Sequence, residues 1–290
     1  MRGLAGYAMR GRREALLVAV IAAVVPMFFW VSASVVGLVT LRRGAREGAL
    51  LTLWALLPCL VLAWYGEIMP AAALAGMWVV AAVLRATVSW RWTLLAVAGM
   101  GLLLGAGLLT VGSAYLAEAE KIVAEFFVRL TEQADPATRA ALQVPGAVQI
   151  AGIFGFMHAL TLLGCTAIAR WWQAMLYNPG GFRVEFHAIS LGPTLVSGVA
   201  IAGLAFLQAG PAMEVWAWTV WLPLLAAGTS LVHGLVAARG RGGSGWLGFY
   251  YASLLLLPWV KYGVVMVAVV DGFTNLRGRL AGKPPAAGND

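Results

Sequence analysis

The chain has 290 residues, of which 61% are apolar and only 11% charged, and its mean hydropathy is +0.85. A soluble core of that size needs a polar shell, whereas here the charges are bunched between long apolar runs, which excludes soluble enzyme folds and leaves an integral membrane protein. The net charge of +8 reports orientation across a bilayer before nucleic-acid binding, and no basic block with interleaved aromatics points to a nucleic-acid partner.

In chain order, eight apolar runs cover about residues 15–41, 48–65, 71–88, 92–112, 147–171, 191–208, 215–238 and 246–270. Helices are expected throughout, because a backbone in lipid must satisfy its own hydrogen bonds and no alternating ten-residue strands occur. The expected fold is an all-α polytopic transmembrane helical bundle forming a single membrane domain over residues 1–290. The first run is too long for a cleavable signal peptide and continues into Arg42 and Arg43 without a small-residue cleavage site. Cys59 and Cys165 lie inside apolar runs, where free thiols pack as small hydrophobes, so neither a disulfide framework nor a zinc site is expected.

Charges in the connections set the topology. Arg42, Arg43 and Arg46, then Arg85 and Arg91, then Arg170 and Arg183, then Arg239 and Arg241 alternate with connections holding Glu67, the acidic stretch from Glu118 to Asp135, and Glu214. The termini, with Arg2, Arg10, Arg12 and Arg13 at one end and Arg277, Arg279 and Lys283 at the other, fit the positive-inside rule only if each terminal run crosses twice. Pro26 and Pro258 divide those runs at points where a helix loses a hydrogen bond. Both termini are then cytoplasmic, and of the 20 basic residues only Lys121, Arg129 and Arg139 face outside, with Lys261 in the membrane. A half-helix of about 12 residues rises about 18 Å against a hydrocarbon core of about 30 Å, so these pairs are expected as short or re-entrant hairpins packed on other helices.

Residues 113–143 are the one substantial non-membrane insertion. Glu118, Glu125 and Glu132 recur every seven residues, with Leu116, Ile122, Val123, Phe126 and Leu130 on another face, which predicts an amphipathic helix lying on the outer surface of the bundle. Asp135 followed by Pro136 predicts a second short helix over 137–142.

The cytoplasmic loop at 170–190 is the most distinctive stretch: Ala169-Arg-Trp-Trp-Gln-Ala-Met-Leu-Tyr-Asn-Pro-Gly-Gly-Phe-Arg-Val-Glu-Phe-His187. With Gly37-Leu-Val-Thr-Leu-Arg-Arg-Gly-Ala-Arg-Glu-Gly48 and Asp271-Gly-Phe-Thr-Asn-Leu-Arg277, it resembles the YybS-like family of bacterial multi-pass membrane proteins over nearly the whole chain. That resemblance implies an arrangement similar to the substrate-binding membrane subunits of energy-coupling-factor transporters. Those subunits carry an Ala-x-x-x-Ala pattern on the first helix, which Ala15, Ala19 and Ala23 would supply. Taken as residues, Trp171, Trp172 and Tyr177 read as interfacial anchors and Asn178-Pro179-Gly180-Gly181 as a tight turn. The functional reading is a docking loop, in which Phe182 and Phe186 are apolar groups on a water-facing segment and Arg183 and Glu185 are charges for a partner, with Arg170 at the loop's start.

Ionisable residues inside the membrane are costly, which makes His158, Lys261 and Asp271 the candidates for a polar ligand site. Asp271 also has a structural reading, as a helix-end cap or a partner for Arg277, and Lys261 can snorkel. His233 reads as interfacial. Gly99, Gly101, Gly105 and Gly107 offer small-residue helix packing. Gly240-Arg-Gly-Gly-Ser-Gly245 lacks the features of a nucleotide-binding loop, and no zinc-protease histidine pair, Gly-x-Ser-x-Gly or paired carboxylates occur. No catalytic residue, metal or cofactor is therefore expected.

Two functions follow. One is a small-molecule-binding transporter subunit of the bacterial inner membrane, which needs separate ATPase and coupling subunits. The other is a membrane scaffold or regulatory protein whose Asn-Pro-Gly-Gly-Phe loop recruits a cytoplasmic partner.

Overall fold

In the computed structural model, which describes residues 2–25, 27–132, 135, 142–239 and 243–281, every apolar run is helical and no strand forms among the described residues. The first run is broken into α2 (Arg12–Val24) and α3 (Phe29–Arg43), preceded by a short α1 (Arg2–Ala8). Then come α4 (Ala45–Trp64), α5 (Met69–Thr87), α6 (Trp90–Thr110), α7 (Ser113–Glu132) and α8 (Ala147–Tyr177). The C-terminal half holds α9 (Gly181–His187), α10 (Gly192–Gln208), α11 (Glu214–Arg239), α12 (Gly243–Leu256), α13 (Pro258–Thr274) and α14 (Leu276–Ala281). Five of these, α4, α5, α6, α8 and α11, are long and apolar enough to cross a bilayer. The bent pairs α9–α10, at 66°, and α12–α13, at 116°, bring the number to seven if each is one span. The chain is an all-α bundle of a multi-pass membrane protein.

Helix α3 is the centre. Every residue from Val31 to Leu41 is buried, as expected of a helix that is apolar all round. Two of the three hydroxyls this burial traps turn back on their own helix: Ser34 Oγ donates to the Trp30 carbonyl and Thr40 Oγ1 to the Val36 carbonyl, both at 2.7 Å. Helices α2, α4, α5 and α8 surround α3. Cys59 and Cys165 are free and buried, as packing thiols.

Glycine sets the α6–α8 contact. A Cβ on Gly101 would lie 2.6 Å from the Gly155 carbonyl oxygen, and one on Gly155 would lie 2.5 Å from that of Gly101. Backbones this close need glycine on both sides. Gly105 is held equally close by the Trp216 ring, whereas Gly99 and Gly107 face open space, so two of the four expected positions carry the contact.

The terminal runs divide as the charge pattern requires. Leu257 is extended and Pro258 occupies the first turn of α13, where its missing N–H costs nothing. Pro26 lies outside the described residues, but α2 stops at Val24, Met27 has φ of +66° and α3 starts at Phe29. Each pair returns to the end it left. Arg12 pairs with Glu47 at the start of α4, Arg43 Nη2 donates to the Met9 carbonyl (2.8 Å), and Arg85 Nη1 to the Leu41 carbonyl (2.5 Å). Arg42 stacks 4.1 Å over the Tyr177 ring, and Arg91 Nε donates to the Ser190 carbonyl (2.8 Å). Since Arg277 in turn reaches the His187 carbonyl, both ends of the described chain sit at one arginine-bearing end of the bundle.

The insertion departs from expectation. Leu116 is buried against Leu108, Ile150, Ala151 and Trp216, with Val123 partly covered, but Ile122, Phe126 and Leu130 are exposed by 63%, 61% and 46%. Only the first half of α7 docks: Tyr115, Leu116, Ala119 and Val123 pack on α6 and α8, and among the described residues the apolar side chains Ile122, Phe126 and Leu130 are left uncovered. The second short helix at 137–142 falls almost wholly outside the described residues, as does the middle of the glycine-rich connection before α12.

A contrast between Leu116 and Phe126 checks this docking. Leu116→Ala should cost about 2–5 kcal/mol of stability in detergent, as for other buried leucines, while Phe126→Ala should stay within about 0.5 kcal/mol, both measured by thermal or denaturant unfolding.

Candidate functional site

The groups that meet at the arginine-bearing end come from five elements, and the local chain explains each placement. Helix α8 stops at Tyr177. The Asn178 N–H still donates to the Ala174 carbonyl (2.7 Å), Pro179 cannot continue the ladder, and Gly180 takes φ of +87°. A Cβ on Gly181 would lie 2.3 Å from the end of the Asn178 side chain, which can swing aside, so the turn depends on Gly180 and not on the second glycine. The chain then enters α9, which meets the following α10 at 66°.

Two arginines tie α9 down. Arg170 of α8 makes a two-pronged pair with Glu185, its Nε donating to Oε2 at 2.9 Å and its Nη2 to Oε1, and it also reaches Gln173. Arg277 does more. Asn275 adopts the left-handed conformation (φ +49°) and stops α13, and α14 turns back so that Arg277 Nε donates to Asp271 Oδ2 at 2.9 Å. Its Nη1 donates to the His187 carbonyl (2.5 Å) and to Ser230 Oγ (2.9 Å), and its Nη2 to the Ala227 carbonyl (2.9 Å). Ser230 Oγ itself donates to the Phe186 carbonyl. One planar guanidinium with five donors thus joins α9, α11, α13 and α14.

Of the three residues expected to form a ligand site, Asp271 belongs to this assembly and the others do not. It is 4% exposed, and its Oδ1 has no hydrogen-bond partner among the described residues. His158 is buried at 1% exposure on α8, packed against Gly76 of α5 and Leu162, with Nδ1 unpartnered. Lys261 sits with Nζ 4.9 Å over the Trp218 ring, among the aromatics of α11. Ten residues separate it from Asp271 on one helix, a rise of about 15 Å. The structure therefore does not bring the expected trio together.

The loop residues are partly redistributed too. Trp171 and Tyr177 are exposed, as anchors should be, but Trp172 is completely buried in the main core, because consecutive helical positions point about 100° apart and only one of the pair can face out. Phe182 and Phe186 do not project freely into water. Both are half-buried, Phe182 beside Trp90 at 6.3 Å and Phe186 edge-on to His233 at 5.2 Å. Glu185 is already paired within the chain. The freely exposed residues of α9 are Arg183 and Val184, the latter at 72%. Val184 carries no signal in the sequence beside the two phenylalanines that flank it, and the signal for Ser230 is a single serine in an apolar run.

Open clefts flank α9. One of about 720 Å³ is lined by Arg91, His187, Asp271, Asn275 and Arg277. Another of about 560 Å³ lies between Phe182, Arg183 and Phe186 and the Tyr251 hydroxyl, which is 2.7 Å from His233 Nε2. Among the described residues no group of three or more His, Cys, Asp or Glu is placed to hold a metal ion.

Arg277→Ala leaves Asp271 buried, charged and unpaired, and should cost about 3–5 kcal/mol. The double change Asp271→Leu with Arg277→Met removes both charges and should recover a large part of that loss. Thermal unfolding of both variants in one detergent checks the order.

No protein-family model, curated protein or solved structure matches this chain.

Proposed function

We propose that this multi-pass membrane protein is a scaffold or regulatory protein of the bacterial inner membrane that works by recruitment, without chemistry of its own, and that α9 is its docking element. The observation that supports this is the way α9 is held. A short helix outside the spans is clamped by Arg170 and Arg277 and by Ser230, yet presents Arg183 and Val184 outward. A preorganised element loses little freedom when a partner binds, so a small exposed surface can suffice. The partner is a cytoplasmic protein that offers an acidic group to Arg183 and an apolar one to Val184.

On this reading the arginine-bearing end faces the cytoplasm and both termini lie there, by the positive-inside rule. The reading also takes the chain as a relative of the YybS-like proteins. In its support, residues that carry the resemblance, Arg170, Asn178, Glu185, Asp271 and Arg277, belong to one connected assembly. The Ala15, Ala19 and Ala23 stripe gives no such support to a coupling role, because all three are buried within the chain, where α2 packs on α3 and α4. A second reading, a small-molecule-binding transporter subunit, is favoured by one observation: Asp271, with its unpartnered Oδ1, lines the 720 Å³ cleft.

A photoreactive residue at position 184 should crosslink in cells to a cytoplasmic protein. The double variant Arg183→Gln with Val184→Ser should abolish co-purification of that protein while leaving stability within about 0.5 kcal/mol of the parent. Retention of the partner by the double variant rejects the docking role, and a small molecule retained in native mass spectra without any protein partner supports the second reading.

A further inference from the structure

We infer that the cleft between α2, α3 and α4 at the arginine-bearing end is a binding site for the phosphate-bearing headgroup of an anionic phospholipid. The cleft is about 200 Å³, with Arg12, Arg13 and Arg43 at its mouth and Leu16, Leu50 and Trp54 along its apolar wall. Against three guanidinium groups it sets one carboxylate, Glu47, which Arg12 already holds through Nε at 2.7 Å and through Nη2. Arg43 spends one donor on the Met9 carbonyl, and Arg13 makes no hydrogen bond among the described residues. Each guanidinium carries five N–H groups, so most donors here are unspent and the net charge of the lining is positive.

The apolar wall distinguishes this cleft from a simple anion site. Leu50 and Trp54 are exposed by 42% and 56% on α4, a helix long and apolar enough to cross the membrane, so the cleft opens toward the acyl chains. Arginine at the mouth and leucine and tryptophan below match an amphiphile that carries phosphate at one end and hydrocarbon at the other. Arginine forks fit phosphate oxygens in two-pronged pairs. Zwitterionic phosphatidylcholine offers the same phosphate beside a cation that the arginines repel. Free phosphate makes no use of the wall.

Native mass spectrometry of the full chain, titrated in detergent with phosphatidylglycerol, with phosphatidylcholine of the same acyl chains, or with inorganic phosphate, distinguishes these sources. Phosphatidylglycerol should be retained about tenfold more tightly than phosphatidylcholine, and phosphate alone should not compete. Arg13→Gln breaks no hydrogen bond among the described residues and should weaken phosphatidylglycerol about tenfold, the loss of one charged hydrogen bond. Trp54→Ala, at an exposed position, should weaken it several-fold, and Arg2→Gln, at the same end but outside the cleft, should leave it unchanged. Equal retention of the two lipids, or binding unaffected by Arg13→Gln, overturns the assignment. Competition by inorganic phosphate at equal concentration also overturns it, by showing an anion site with no use for the chains.

Discussion

Arg277 holds the C-terminal half of the bundle together, and the geometry of the arginine-bearing end depends on it. A charged side chain in or beside lipid is costly unless every donor finds an acceptor. Here the guanidinium meets a carboxylate, a hydroxyl and two backbone carbonyls, and these acceptors belong to three different helices. The carbonyls of Ala227 and His187 and the hydroxyl of Ser230 need partners as much as the cation does, so the same bonds that solvate Arg277 also fix where α9, α11 and α13 lie. Arg170 plays the smaller counterpart from the other side, holding α9 to α8 through Glu185. A short helix thus gains a fixed position without a buried side of its own, since none of its residues is buried.

The N-terminal half solves the problem differently. Around α3 the packing is carried by alanine, valine and leucine in contact on all sides, and the hydroxyls of Ser34 and Thr40 bond to the preceding turn. Between α6 and α8, Gly101 and Gly155 let the backbones touch, which lipid cannot do as well. A few buried polar atoms remain without partners, among them Ser32 Oγ, His158 Nδ1 and Trp172 Nε1. These lie in or beside the main apolar core, Trp172 two residues along α8 from Arg170.

Much of the architecture was legible because it follows from hydropathy and from proline. The eight apolar runs become helices, and the terminal runs break where charge alternation demanded a return. The pairing of Asp271 with Arg277 is legible too, because a helix-ending motif six residues long can bring the two back together. What the sequence could not show was which residues are covered by tertiary neighbours. The heptad of glutamates marks α7 as amphipathic, yet says nothing about how far the bundle extends beneath it, and Ile122 and Phe126 end exposed. The Trp171–Trp172 pair gives no sign that one ring is core. Phe182 and Phe186 look water-facing until α6 and α11 are seen to bring Trp90 and His233 against them. His158, Lys261 and Asp271 share only the cost of being polar in lipid, and a shared cost does not make a shared site.

If the arginine clamp makes α9 a rigid platform, amide hydrogen exchange of residues 181–190 in a lipid nanodisc reads that rigidity. Protection in this segment should approach that of the spans and should be lost when Arg277 is replaced. Exchange in 181–190 as fast as in the exposed second half of α7, and indifferent to Arg277, would contradict it.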